Sequence, residues 1–514
     1  MLRRDFLKRA AQAGAILPIA SSGLFARPLN SFLRLQGVAG ATDRILVLIN
    51  LAGGNDGLNT VIPVNDQKYF DARPTIAIRK ADALAISDGL ALHPSMAGVQ
   101  QIFNAGDCAI VSSVGYPAQD RSHFRSTDIW HTASPADVIW HTGWLGRYLE
   151  ALHPEYPATL PTAPFAMQIG TSASLAFQSD HGTMGMAIDN PDRFYNLANG
   201  IGVKPDPVPA TLAGPELGYV RDVIEQSNVY STKIHDAVLN APNNPVTYDS
   251  ATLAQQLKVV ARFINGGLPT NIYIVSVAGF DTHYGQAPLH QGLLNTVSRA
   301  VKTFLDDVAY ANNGDRVVCM TYSEFGRRLN ENGSAGTDHG AASPLFVLGK
   351  PVKGGVVLGG APDLTDLDDR GDIKFKNDFR QVYASVLQDW LGFAKDQTDA
   401  ALGGSFTRLP LFDSPAFGVP DEEHARMAGY VLDQNTPNPV HGNTTIGFRI
   451  PTGTRVRLSI VSADGRFAGS VVDRTLEAGL HRAAFDAASL ASGTYIYTLE
   501  AGPYSISRRM VVTH

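Results

Sequence analysis

At 514 residues, 44% of them hydrophobic and 18% charged, the chain has the composition of a globular protein and the length for one large domain plus a smaller one. A net charge of −6 leaves no basic field to attract nucleic acid or an anionic membrane surface. The two cysteines, Cys108 and Cys319, each sit in an apolar run and read as small buried hydrophobes, not as a disulfide or a metal pair.

The N-terminus reads MLRRDFLKRAAQAGAILPIASSGLFA, with Arg3-Arg4 followed by Phe6-Leu7-Lys8 and a weakly apolar Ala- and Gly-rich run. This matches the twin-arginine export pattern RRxFLK. The run is too short and too rich in small residues to span a membrane, and Ala39-Gly40-Ala41 offers a cleavage site. No cysteine lies nearby, which argues against a lipid anchor. The expected course is translocation by the twin-arginine system and passage through the periplasm, without a transmembrane anchor.

After the signal, apolar strands alternate with helices. Arg44–Leu51, Asp107–Val114, Asn271–Ala278, Arg316–Tyr322 and Pro344–Leu348 have strand length and strand composition. Helices are expected from about Ser126 to Thr132, over Thr252–Gly266 with Gly266-Gly267 as its stop, over Leu289–Ala311, and over Asp378–Leu391. Strands alternating with helices imply a mostly parallel sheet covered on both faces, whose ligands gather at the carboxyl ends of the strands.

Four polar loops close behind those strands carry candidate chemistry. They are GGNDGLNT with Asn55 and Asp56, and DRSHFRSTDIWHT with Asp120, Ser122, His123 and Asp128. The others are GFDTHYGQ with Asp281 and His283, and YSEFGRRLNENGSAGTDHG with Glu324, Asp338 and His339. Carboxylates and imidazoles are what divalent metals select, and each loop falls where a parallel sheet builds a site. Any one alone is a common turn. Together they point to one shared centre.

Near Asn435 the pattern changes. Pro437-Asn438-Pro439 breaks the chain, and short alternating strands follow at Thr445–Ile450, Arg455–Val461, Thr494–Leu499 and Ser505–Val512, with a hairpin signal at Asp464-Gly465. Val456, Leu458 and Ile460 form one face of a strand in a small β-sandwich. The stretch NTPNPVHGNTTIGFRIP…VRLSIVSADGR…SGTYIYTLEAG…SRRMVV resembles the C-terminal sorting domain of the type IX secretion system. That resemblance implies carriage across an outer membrane by the type IX machinery and a secreted or cell-surface destination.

The motifs LVLINLAGGNDGLNTVIP, GLALHPSM, SVGYPAQDRSHFRSTDIW, GWLGRYLE, GFDTHYGQ, TYSEFGRR, TDHGAASPLFVLG and DFRQVYASVLQDWLG resemble the family filed as domain of unknown function 1501, over about Arg44 to Phe393. That family is placed in the alkaline phosphatase and sulfatase superfamily. The resemblance implies an α/β fold: an alkaline phosphatase-like sheet with helices on both faces, here joined to the small β-sandwich. It also implies divalent metal ions (Zn, Mg, Mn or Ca) and hydrolysis of phosphate or sulfate esters.

Carried over position by position, the superfamily's first-strand metal ligand becomes Asp56. Its nucleophile becomes Ser122, with Ser126 and Thr127 as competitors. Asp281, His283 and His339 become further metal ligands. Where the pattern has an adjacent Asp-His pair, this chain has Ser323-Glu324, leaving Glu324. Arg121 and Arg327 are the candidates to clamp the ester's oxygens, although each reads more readily as a solvated or salt-bridged surface residue. A degenerate, non-catalytic surface binding or structural protein of the same fold, with or without the metal, is the alternative. The expected divisions are signal peptide 1–41, α/β domain 42–395, linker 396–434 and sorting domain 435–514.

Overall fold

The computed structural model describes residues 43–192, 194–195, 229–412, 430–451, 453–462, 467–501 and 504–513. The twin-arginine segment, the Ala39-Gly40-Ala41 site and the Asp464-Gly465 hairpin lie outside these residues. The chain divides into two compact units. The larger takes the described residues up to Leu387 together with 396–412, and the other takes 388–395 and the tail.

In the larger unit, strands β1 (Ile45–Ala52), β2 (Cys108–Gly115), β3 (Ala166–Ile169), β4 (Gly185–Ile188), β5 (Ile272–Ala278), β6 (Val317–Tyr322), β7 (Ser343–Leu348), β8 (Val356–Leu358) and β9 (Asn377–Asp378) form one sheet. The order is β8-β2-β7-β6-β1-β5-β3-β4, with β9 also paired to β2. Central β1 runs parallel to β5 and to β6, in the registers Leu46↔Ile272 and Ile45↔Val317. β7 is antiparallel to both of its neighbours. The sheet is therefore mixed, and β2, β6, β1 and β5 all end at one edge. β7 starts at that edge, so the residues just before Ser343 lie there too.

Alternation along β1 decides the layering. Ile45, Val47, Ile49 and Leu51 join one apolar cluster, while Leu46 and Leu48, equally buried, face the other way. Burying each such side chain contributes roughly 1.5–3 kcal/mol, so neither face can be left in water. The first face is covered by α1 (Ala97–Asn104), α4 (Thr252–Asn265) and α5 (Gln286–Tyr310). Phe103, Leu257, Phe263, Val301 and Phe304 from these helices join the same cluster. The other face carries α2 (His123–Thr132), α3 (Trp144–Leu152) and α6 (Phe379–Ser385). There Trp130 stacks on Tyr322 and Phe379, and Trp144 stacks on Tyr383.

Several boundaries differ from the sequence reading: α2 starts at His123 and α5 at Gln286, each three residues before its expected start. The helix expected through Leu391 ends at Ser385 and passes into one π-type turn, Val386–Trp390. Within the expected linker, Lys395–Leu402 is helical and buries Thr398, Ala401 and Leu402. Burial of these side chains accounts for its order.

The tail is two antiparallel sheets. Val431–Leu432, Asn443–Ile450 and Gly479–Asp486 form one, and Thr454–Ser462, Phe467–Leu476, Gly493–Ala501 and Tyr504–Val512 form the other. Val456, Leu458 and Ile460 are fully buried with Ile446, Phe448, Tyr497 and Met510 in a core made of tail residues. This is the expected β-sandwich. Three of its strands, Val431–Leu432, Phe467–Leu476 and Gly479–Asp486, were not read from the sequence.

Candidate metal centre

The four loops meet at the shared sheet edge, and close backbone packing sets their spacing. Gly53, at φ +122° just after β1, lies so near the next loop that a Cβ there would fall 2.3 Å from the Asp281 nitrogen. A Cβ on Gly336 would meet the His283 carbonyl group at the same distance. Only glycine permits both approaches. The two ligand-bearing loops are then tied directly: Gly285 N donates to Ser334 O at 3.0 Å, Gln286 N to Ala335 O at 2.9 Å, and Asn332 Nδ2 to His283 O at 2.9 Å.

Three imidazoles converge on one carboxylate. His283 Nε2 and His339 Nε2 are 3.0 Å apart, and both face Asp281 Oδ1, at 3.1 and 3.2 Å. His123 Nε2 lies 3.5 Å from Asp281 Oδ2, and the His123 and His339 rings meet edge to face with centroids 4.5 Å apart. Ligand atoms of His123, Asp281 and His339 lie within 4.8 Å of one another.

The far side of each ring fixes its proton. His283 Nδ1 faces Asp338 Oδ1 at 3.2 Å, His123 Nδ1 faces Glu324 Oε1 at 2.8 Å, and His339 Nδ1 faces the Arg121 carbonyl oxygen at 2.9 Å. A carboxylate or carbonyl oxygen only accepts, so Nδ1 carries the hydrogen in all three neutral rings. Each Nε2 is then a bare lone pair. Three lone pairs aimed at a carboxylate repel one another unless a cation shares them, and one added proton satisfies only one of the close contacts. The pattern is that of histidine metal ligands held from behind by a carboxylate or carbonyl. On the chemistry of the donors, the residues fit a divalent ion.

Electrostatics agree with this. Burial pulls the Asp281 carboxyl upward, but the hydrogen bond and charge of Arg327 outweigh it and hold the pKa down at about 2. Asp338 is lowered chiefly by the Asn332 amide, with burial opposing. His339 is lowered, mainly by burial, which favours the neutral ring a metal needs. The side chains of Asp281, His283, His123 and His339 remain 23–46% exposed, so the centre opens to solvent.

The other expected site residues take different places. Asp56 is wholly buried, and its Oδ2 accepts from Arg73 Nη1 at 2.6 Å and from Gln286 Nε2. Burial raises its pKa, yet Arg73 more than compensates and the net shift is downward. It is the buried anion of an ion pair and does not face the three histidines. Glu324 belongs to the centre at one remove: Oε1 holds His123 and accepts from Gly53 N at 2.8 Å.

Ser122 is the exposed N-cap of α2 and makes no side-chain capping bond. Ser126 is buried, bonded to Tyr116 Oη at 2.8 Å and to the Glu324 carbonyl oxygen. Thr127 is half-buried on the same helix.

Neither arginine is free to clamp an ester. The Arg121 guanidinium is paired with Asp368 and Asp372, and Arg327, fully buried, is committed to backbone carbonyls and Asp281.

His123 is the residue that sequence reasoning left unassigned. The signal was present: it follows the residue chosen as nucleophile, and as the first residue of α2 it projects from the start of the helix.

Residues 250–396 match the family described as "Protein of unknown function (DUF1501)", and residues 436–513 match the "Secretion system C-terminal sorting domain". No curated protein matches. Among solved structures, the chain is similar to PorZ, a surface component of the type-IX secretion system of Porphyromonas gingivalis, at 18% identity and a TM-score of 0.13 over 20% of this chain. It spans 14% of that chain's length. It is also similar to the lipoteichoic acid synthase LtaP from Listeria monocytogenes, at 8% identity and a TM-score of 0.31, covering 69% of this chain and 73% of that one. A protein in the alkaline phosphatase superfamily from Vibrio parahaemolyticus gives 9% identity and a TM-score of 0.27 over 88% and 85%. Among the described residues, no helix is long and apolar enough to cross a membrane.

Proposed function

With residues 250–396 belonging to the DUF1501 family and 436–513 to the secretion-system sorting domains, we propose that this is an exported, metal-dependent hydrolase-like protein with one metal centre, acting on phosphate or sulfate esters. The observation that carries the reading is the convergence of the His123, His283 and His339 Nε2 atoms on Asp281, each Nδ1 held by an acceptor. Three imidazoles and one carboxylate suit a borderline ion such as Zn better than Mg or Ca, which prefer all-oxygen shells. When bound, such an ion supplies Lewis-acid polarisation of an ester oxygen and activation of water.

The protein groups have separate tasks. Asp338 and Glu324 hold the His283 and His123 rings in the ligating tautomer and raise their basicity. Asp281 supplies the anionic donor. Arg327 fixes that carboxylate and offsets part of its charge.

A second reading, a surface protein that holds metal without turnover, is favoured by the burial of Asp56 against Arg73 and by the commitment of Arg121 to Asp368 and Asp372. Elemental analysis of the purified full chain and of His339→Ala, followed by turnover of 4-nitrophenyl phosphate and sulfate, tests both. Near-stoichiometric metal with turnover, both lost in the variant, is the expected result. Metal without turnover selects the second reading, and no metal removes both.

The export route is likewise a proposal: the twin-arginine translocase first, then the type IX machinery reading the tail. Deleting residues 430–514 is expected to leave the larger unit's calorimetric transition in place while the protein is retained in the periplasm. The tail's core is made of tail residues. Loss of the larger unit's transition would make the tail structural and the proposed boundary wrong.

A further inference from the structure

Gln286, the first residue of α5, lies behind the two loops that carry Asp281, His283 and His339. It is fully buried, as are Thr282, Thr337, Asp56 and Arg73. Its Oε1 accepts from Thr282 Oγ1 at 3.1 Å and from Thr337 Oγ1 at 2.6 Å, while its Nε2 donates to Asp56 Oδ2. Thr282 lies between Asp281 and His283, and Thr337 is two residues from His339.

The direction of the amide is dictated. The Asp56 carboxylate accepts only and is paired with Arg73 Nη1 at 2.6 Å, so Gln286 must turn its NH2 toward it. The amide oxygen is thereby left for both threonine hydroxyls. Arg73 extends the anchor by donating to the Arg328 carbonyl at 2.7 Å and the Leu329 carbonyl at 2.8 Å, on the segment leading toward the His339 loop.

We infer that Gln286, oriented by Asp56, is a positioning residue that, together with the backbone ties between the two ligand loops, sets their separation and so the His283–His339–Asp281 geometry. The inference rests on the metal reading above. It also accounts for Asp56, which serves the centre through Gln286 and not as a ligand. Thr282 N–H and C=O do not do this alone, because the one backbone bond between the two threonines, Thr337 N to Thr282 O, is 3.3 Å long.

The test uses Co2+ as the probe on the full chain, because its visible bands report ligand number and geometry. Gln286→Leu keeps most of the volume and removes both bonding functions. Thr282→Val with Thr337→Val removes the same hydroxyl bonds almost without change of shape. Phe304→Leu, buried on the same helix, serves as a control for general loss of stability. In Gln286→Leu and the double valine variant, Co2+ affinity measured against a chelator should fall about 10–100-fold, the usual effect of removing groups that orient ligands. Their bands should also shift, while Phe304→Leu keeps the parent affinity and spectrum. Should Gln286→Leu fail to fold, the double valine variant decides. Parent-like affinity and bands in both the leucine and valine variants overturn the positioning role. A parent chain that takes up no Co2+ overturns the metal reading itself, a different result.

Discussion

Replacing Arg327 with Met is expected to destabilise the larger unit by about 3–5 kcal/mol, the combined cost of leaving several buried carbonyl acceptors without a donor. The guanidinium is fully buried, with Nε on the Gly54 carbonyl at 2.6 Å and Nη1 on the Thr337 carbonyl at 2.8 Å. Nη2 reaches the carbonyls of Gly53 and of Phe280 (3.0 Å) and Asp281 Oδ1 (2.7 Å). One side chain thus ties the loops after β1, β5 and β6 to the segment before β7. Methionine fills similar space but leaves four carbonyl oxygens and a carboxylate without their donor, and orphaned buried acceptors are costly. A calorimetric Tm lower by roughly 5–15 °C, together with loss of bound metal, is the expected readout. Lysine should not rescue it, because one ammonium cannot span that set of acceptors. An unchanged Tm would show that the loops are held by other means.

Acidification should weaken the fold well before ordinary carboxylates titrate. Burial is the main cause that lowers His93, His131 and His290 from the usual 6.5 to about 4. For His290, Asp56 pulls the other way and the neighbouring His93 adds to the depression. Between pH 6.5 and 4 the unfolded chain binds protons at these three positions and the native chain does not. Stability is therefore present above pH 6.5 and lost as pH falls toward 4, at up to about 1.4 kcal/mol per pH unit for each histidine. Urea midpoints measured from pH 8 to pH 4 should fall steeply below 6.5. His131→Gln should flatten that slope, since its ring bonds only to Tyr322 Oη and Ser174 Oγ and bears no metal role. A midpoint that stays level across this window would show that the rings are protonated in the native state.

The sheet was legible because its strands are apolar runs of strand length bounded by polar loops. Ile45–Ala52, Ile272–Ala278 and Val317–Tyr322 fall within a residue or two of the expected limits. The same logic placed Asp281, His283 and His339 together, because each follows a strand or precedes one at the same edge. Asp56 shows where proximity in sequence misleads. It also follows β1, but the turn of Gly53 and Gly54 carries its carboxylate inward to Arg73, a partner 17 residues away that no spacing rule indicates. Gln286 was equally hidden, since it fell in the polar loop GFDTHYGQ ahead of the helix expected from Leu289, where a glutamine reads as solvated. Arg121 shows the salt-bridged alternative to the clamp: Asp368 and Asp372, far along the chain, neutralise it, and what it offers the site is its backbone carbonyl.

The strand order has a consequence for synthesis. β1, the first strand made, has its partners at Ile272–Ala278 and Val317–Tyr322, so the centre of the sheet closes only after the ribosome has passed Tyr322. At about 5–20 residues per second, an almost wholly apolar strand waits roughly 15–50 s for its ladder. Through that interval Ile45–Ala52 is a sticky, unpaired edge, and a holdase bound over it would shield it until the sheet closes.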